Sequence, residues 1–274
     1  VQHEGQDEQR AQRQPQRMGV KPAADAGAGL VAAETATLLR ERGHDVLPLA
    51  RPGHRQRAAS RALDGLVEAD AGDLAPEAHD LVIHALALHW ADDPVGQIVQ
   101  CARALRPDGL FIAMLPGGQT LAPLRAALAR AEVEITGGLS PRVLPFGEIR
   151  DLGALLGRAG LALTVADQMT QAVSYRDLFH LATDLRAMGE GNALSLRARH
   201  MARRDVFVRA AAILAETAAD PQEPGRVRVG FDLVALTGWA PAENQQKPLR
   251  PGSARMSLAD ALAPPASDDP TPDT

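Results

Sequence analysis

Short apolar runs alternate with amphipathic segments along most of the chain. The runs at 81–83 and 110–115 have the length of buried strands, and apolar residues recur at helical spacing over 94–105 between them. Two further amphipathic helices are predicted over 120–135 and 148–160, the second ended by a glycine. This pattern predicts a strand–helix–strand unit followed by more helices that cover a sheet.

The last two strand-like runs, 161–166 and 227–239, are separated by a long helical segment over about 176–218. That segment is far too long for a hairpin loop, so we predict a helical cap inserted before the final strand. Strands that alternate with helices predict an α/β fold with a mostly parallel sheet, in which the last strand is antiparallel. Ligands of such sheets bind beyond the carboxyl ends of the strands.

Composition narrows the classes of function. The chain has 274 residues, 45% of them hydrophobic, which is enough for one substantial domain. A net charge of -5 gives no overall basic field, so we expect no nucleic-acid partner. Cys101 is the only cysteine, which excludes an internal disulfide and a cysteine-based metal site. No apolar run reaches the roughly 18 to 20 residues of a transmembrane helix, and we expect a cytoplasmic protein that binds no metal.

Both ends of the chain differ from the middle. Residues 1–18 are rich in glutamine and in charges of both signs and lack the apolar centre of a secretory signal. Residues 263–274 are rich in proline and acid. We expect both to be disordered tails, which leaves a single domain over 19–262.

Two segments resemble a known family. The runs H-D-L-V-I-H-A-L-A-L-H-W at 79–90 and A-L-R-P-D-G-L-F-I-A at 104–113 are similar to the fourth and fifth strands of class I S-adenosylmethionine-dependent methyltransferases. The motifs L-S-P-R-V, D-L-R-A-M-G-E-G-N-A-L and L-T-G-W-A-P-A-E-N-Q-Q-K-P-L-R-P-G-S-A resemble one type 11 branch. That branch contains bacterial relatives of the methyltransferase-domain assembly factor of respiratory complex I and is close to the biotin-pathway carboxyl methyltransferases. The resemblance covers about 64–262.

The resemblance implies a Rossmann-like sheet, S-adenosylmethionine as cofactor, and roles for particular residues. Asp70, beside Ala71, would accept a hydrogen bond from the adenine amino group. His84 to Leu86 would lie along the methionine and sulfonium end, and His89 would border the substrate pocket as a base. The alternatives are that Asp70 is an ordinary loop aspartate and that His89 only packs against the sheet edge.

The stretch K-P-A-A-D-A-G-A-G-L-V at 21–31 is a candidate cofactor loop, because spaced glycines before a helix allow close backbone approach to a ligand. Asp25, Gly27 and Gly29 fit the pattern, but Val31 replaces the third glycine.

The surroundings of this loop fit less well. Lys21 and Pro22 stand where the central strand should be, and proline argues against a central strand. Arg51 follows the second strand, where an acidic residue would hold the ribose. Three explanations remain open: an NADP oxidoreductase, a lost cofactor loop, and a shifted reading frame before residue 64.

Two functions follow from the sequence. The first is a methyltransferase-type enzyme that modifies a protein partner in complex I assembly, with arginine hydroxylation as an implied alternative reaction. The second is a non-catalytic, methyltransferase-like assembly or binding protein that uses the cap to recognise its partner.

Overall fold

A computed structural model of the chain describes residues 17–22, 35–50, 67–68, 73–192, 194, 196–198 and 200–246. The two predicted tails therefore lie outside the described residues, apart from 17 and 18. The chain forms two compact units, 1–242 and 243–274. All of the helices and strands below belong to the first unit.

Seven strands form one sheet. Their bounds are β1 Arg17–Pro22, β2 Asp45–Ala50, β3 Val67–Glu68, β4 His79–Ala85, β5 Leu105–Gly117, β6 Ala162–Tyr175 and β7 Val227–Trp239.

Helices lie between these strands. Residues 35–41 are helical (α1), and the later helices are α2 Pro94–Ala104, α3 Ala122–Thr136, α4 Ile149–Arg158, α5 Leu178–Met188 and α6 Arg204–Thr217.

Helix ends follow local signals in the sequence. Asp93 precedes α2 and its carboxylate accepts a hydrogen bond from the Gly96 N–H at 2.8 Å. Asp177 caps α5 in the same way through the His180 N–H at 2.7 Å. Gly160 has φ +83° just after α4, so the predicted glycine stop is confirmed.

The strand order is β3-β2-β1-β4-β5-β7-β6. The pairs from β3 to β5 are parallel, whereas β7 runs antiparallel to both β5 and β6. The predicted mostly parallel sheet with an antiparallel last strand is therefore confirmed. The order reverses between β1 and β4, and the crevice at such a switch point is where α/β sheets of this kind bind ligands.

The expectation that Lys21 and Pro22 disfavour a central strand is wrong. Strand β1 pairs in parallel with β2 on one side and β4 on the other, up to the pair of Pro22 with Ala85. Pro22 is the last residue of the strand. A missing N–H at the strand end interrupts no ladder beyond it, so the proline ends the strand without breaking it.

The two largest apolar clusters among the described residues pack helices against the sheet. One lies between the sheet and helices α2 and α4, and it includes the fully buried Phe111, Ile98 and Leu156. The other joins α3 to both cap helices, α5 and α6, and to the ends of β6 and β7. The cap predicted between the last two strands is therefore present, and it shares its apolar core with α3.

None of the helices among the described residues combines the length and apolar character needed to cross a membrane.

Candidate functional site

A cavity of about 400 Å³ lies beyond the carboxyl ends of β4 and β5. The turn after β4 contributes Leu86 and Trp90 to its wall, and the end of β5 and the following loop contribute Pro116 and Thr120. The remaining wall comes from α3, from residues 142–144 and 146, from the end of α5 with the segment after it, and from β7. The cavity therefore lies between the sheet and the cap.

Leu86 marks the point where β4 ends and the cavity begins. Its backbone is left-handed, with φ +46°, and its N–H donates a hydrogen bond to the Met114 carbonyl oxygen at 2.7 Å. A left-handed leucine is a strained conformation that surrounding structure must hold in place. The turn therefore directs the chain sharply from the sheet into the short 3-10 helix Leu88–Trp90.

Glu190 joins the cap to that 3-10 helix. Its Oε2 accepts a hydrogen bond from Trp90 Nε1 at 3.1 Å and lies 3.2 Å from His89 Nε2. The side chain of His89 is 3% exposed and that of Glu190 is 23% exposed. A carboxylate oxygen accepts hydrogen bonds, so Nε2 of His89 is the donor in this contact.

Nδ1 of His89 is buried, and it has no hydrogen-bond partner among the residues that the structure describes. The imidazole also lines a smaller cavity of about 140 Å³, and its centroid lies 6.1 Å from that of the Phe146 ring. The predicted base is thus beside open space, but behind the wall of the larger cavity. His89 therefore packs against Trp90 and Phe146 and borders the smaller cavity, and its role as a base stays a prediction.

His84 lies on the other side of β4. The residue is fully buried, and its Nε2 lies 3.2 Å from Oε1 of Gln97 in α2. The side chain therefore faces the sheet–α2 layer, so any contact of this position with a ligand would have to come from its backbone.

A buried ion pair supports the cavity wall. Arg142, which lines the cavity, donates from Nη2 to Glu132 Oε1 at 2.6 Å and from Nε to Oε2 at 3.2 Å. Burial alone would raise the pKa of Glu132, but hydrogen bonds from Arg142 and Ser140 outweigh it and lower the pKa from 4.5 to about 2. The carboxylate therefore stays charged.

The loop after β5 is held by a second buried carboxylate. Asp232 of β7 accepts hydrogen bonds from the Gln119 N–H at 2.8 Å and from Thr170 Oγ1 at 2.6 Å. Gly118 has φ +51° and lies so close that a Cβ atom there would be 2.6 Å from Asp232 Oδ2. Only glycine fits this turn, which places Thr120 on the cavity wall.

Five of the predicted site residues, Asp25, Gly27, Gly29, Asp70 and Ala71, lie outside the described residues. The structure brings Leu86 and His89 to neighbouring cavities and places the His84 ring elsewhere. Glu190 and Arg142 were not assigned a role from the sequence. Both lie in motifs that carry the family resemblance, at 184–194 and 139–143, and this was the signal that could have identified them.

No group of three or more His, Cys, Asp or Glu side chains that could hold a metal ion occurs within the described part of the chain.

Comparison with known families gives a match over residues 24–113 to the family described as "Methyltransferase domain". The match begins well before residue 64 and so includes Asp25, Gly27 and Gly29. The family resemblance therefore starts earlier in the chain than the sequence motifs alone indicate.

Curated proteins give matches over more of the chain. It is 39% identical over 181 residues to "Arginine-hydroxylase NDUFAF5, mitochondrial" of Danio rerio, which covers 66% of this chain and 56% of the relative. It is 31% identical over 203 residues to the "Malonyl-[acyl-carrier protein] O-methyltransferase" of Laribacter hongkongensis, covering 73% of this chain and 64% of the relative. The chain thus spans little more than half the length of the first of these relatives.

Among solved structures, the YcgJ protein of Bacillus subtilis is similar with a TM-score of 0.49 and 11% identity, covering 87% of this chain and 97% of that protein.

Proposed function

Because the chain belongs to the class I S-adenosylmethionine-dependent methyltransferases, we propose that it is a methyltransferase-type protein that modifies a protein partner during assembly of respiratory complex I. The observation that carries the proposal is the cavity at the carboxyl ends of β4 and β5, which lies beside the β1/β4 switch point. This is the edge of the sheet at which ligands of such folds bind.

The cofactor is proposed to bind at the switch point. When bound, S-adenosylmethionine supplies a methyl group on a sulfonium centre. Asp25, Gly27 and Gly29 follow β1 and would hold its methionine portion, while Asp70 and Ala71 follow β3 and would hold the adenine. All five positions come directly after parallel strands, as a ligand at this edge requires.

The described part of the site is compatible with such a ligand. Leu86 turns sharply away at the end of β4, so the backbone beyond Ala85 lines open space instead of continuing the strand. His84 has its ring beneath α2, which leaves only its backbone to face the cofactor. The proposed contribution of β4 to cofactor binding is therefore a backbone contribution.

His89 is the proposed base. Glu190 lies 3.2 Å from Nε2 of His89 and would position the ring for this role. In methyl transfer, most of the protein's contribution is to align the two reactants and exclude water, and the apolar walls between sheet and cap would serve both purposes.

The partner is proposed from the relatives. One relative is named as an arginine-hydroxylase and another as a malonyl-[acyl-carrier protein] O-methyltransferase, so transfer of a methyl group and hydroxylation of an arginine both fit the family. A cytoplasmic location is part of the proposal, although the arginine-hydroxylase relatives are mitochondrial by name.

Mass spectrometry of complex I subunits tests this function. In a strain that lacks the chain, we expect one subunit to be lighter by one CH2 unit, because a methyl group replaces a hydrogen, or by one oxygen atom, and the wild-type chain to restore the mass. His89→Ala should restore much less, whereas the exposed His200→Ala should restore it fully. Identical subunit masses with and without the chain would refute a modifying activity.

A non-catalytic assembly protein is the second candidate. It is favoured by one observation, that the rings of His84 and His89 are almost completely buried and already engaged by Gln97 and Glu190. The same strain distinguishes the two functions, because a binding protein would restore assembly of complex I without changing the mass of any subunit.

A further inference from the structure

The larger cavity has a chemical character of its own. Most of the side chains around it are hydrocarbon, and they come from the loop after β5, from α3, from the cap and from β7. They include Leu121, Leu124, Leu128, Leu185, Phe231 and Leu233. Apolar walls on opposite sides favour a ligand that gains by leaving water.

The polar side chains of the lining already have partners within the protein. Asn192 donates from Nδ2 to the Pro141 carbonyl oxygen at 2.9 Å and accepts at Oδ1 from the Leu194 N–H at 3.1 Å. Arg142 is neutralised by Glu132, to which it makes two hydrogen bonds. Neither side chain offers an uncompensated charge to a ligand.

The described lining offers no unpaired cation. Glu190 lines the cavity and lies against the ring nitrogens of Trp90 and His89. Among the described residues, no Lys or Arg forms an ion pair with it. A carboxylate entering the cavity would lose its hydration, and Arg142, the cation of the described lining, is already paired with Glu132, so the loss would not be compensated.

The volume of the cavity sets a lower bound on the size of the group that fills it. An empty apolar cavity of about 150 Å³ is large enough to bind benzene, and this cavity measures about 400 Å³. A hydrocarbon group larger than one benzene ring is needed to fill it.

We propose that the cavity binds a hydrocarbon group that carries no negative charge, as the portion of the acceptor next to the reacting atom. The inference rests on the proposed function in placing an acceptor here, and it specifies the substrate class of that site. It excludes an acceptor that places a free carboxylate or phosphate within the cavity.

Titration calorimetry with 1-alkanols from butanol to octanol tests the proposal. Affinity should rise by about fourfold for each added methylene until the cavity is full. Octanoate, which has the same hydrocarbon chain and a carboxylate head, should bind at least tenfold more weakly than octanol. Equal or tighter binding of octanoate would overturn the proposal.

Two variants locate the binding site. Leu128→Trp should fill the cavity from α3 and abolish octanol binding, whereas Val133→Trp, at a position on the same helix that is 53% exposed, should not change it. Leu185→Trp fills the same space from the cap and serves if Leu128→Trp does not fold. Octanol binding that survives both filling variants would place the hydrocarbon site elsewhere and refute the inference.

The same preparations are titrated with S-adenosylmethionine. Protein that binds the cofactor but no alkanol contradicts only the substrate class, whereas protein that binds alkanols but no cofactor contradicts only the proposed enzyme.

Discussion

At the scale of single residues, Glu190 connects the cap to the 3-10 helix that follows β4. One carboxylate oxygen receives the indole N–H of Trp90 and faces Nε2 of His89. The sequence indicated a role for His89 but could not indicate this partner, because the two residues are 101 positions apart and meet only through the fold.

Removal of the Glu190 carboxylate should destabilise the protein. Glu190→Ala leaves the Trp90 indole and the His89 ring without their shared acceptor, and we expect a loss of about 1–3 kcal/mol in the free energy of unfolding. Urea denaturation measures the loss, with the exposed Glu41→Ala on α1 as a control that should change little. Equal stabilities of the two variants would show that the Glu190 contacts contribute nothing.

Glu132 should make the protein sensitive to acid. Its pKa is lowered from 4.5 to about 2 in the folded protein, so its contribution is complete above pH 5 and disappears as the pH falls toward 2. Between pH 7 and pH 3, the contribution of Glu132 to the free energy of unfolding should fall by about 2 kcal/mol. Glu132→Gln should therefore show a smaller difference in unfolding free energy between these two pH values.

Glu41→Gln is the matched control for this comparison and should keep the wild-type dependence on pH. If Glu132→Gln loses as much stability in acid as the wild-type protein, the Arg142–Glu132 pair does not have the assigned energetic role.

At the scale of elements, most helices and strands from 79 onward follow the sequence pattern, but β6 extends to Tyr175, beyond the predicted 161–166, and the predicted cap segment forms two separate helices. Strand β7 covers the residues predicted for it, and α4 ends where Gly160 indicated. Local features of the chain specify these elements. Buried positions alternate along β7, and a left-handed glycine follows α4. The expectation for β1 is wrong because it treats Pro22 as an interior residue of the strand. The strand register shows that Pro22 is the last residue.

The loop after β5 provides a test of how tightly these elements are joined. Gly118→Ala introduces a Cβ atom 2.6 Å from Asp232 Oδ2 and forces alanine to φ +51°, so we expect a loss of at least about 1 kcal/mol in thermal or urea denaturation. Gly157→Ala in α4 has open space around its Cβ and should stabilise by about 0.5–1 kcal/mol. We expect the two substitutions to change the free energy of unfolding in opposite directions. A change in the same direction would contradict the assigned geometry.

At the scale of the whole molecule, the strand order β3-β2-β1-β4-β5-β7-β6 agrees with the Rossmann-like sheet that the sequence resemblance implies. The sequence could predict this order only through that resemblance, because alternation of strands and helices does not specify which strands are neighbours. The cavity could not be predicted from the sequence either, because its walls come from α3, the cap and three strand ends that are distant along the chain.

The central claim is that this fold binds S-adenosylmethionine at the carboxyl ends of β1 and β4. Titration of the purified chain with S-adenosylmethionine measures this directly. We predict micromolar binding that Asp70→Ala weakens about five- to 150-fold, which corresponds to about 1–3 kcal/mol for a lost hydrogen bond. Absence of binding at millimolar cofactor would contradict the claim and leave the non-catalytic assembly protein as the remaining function.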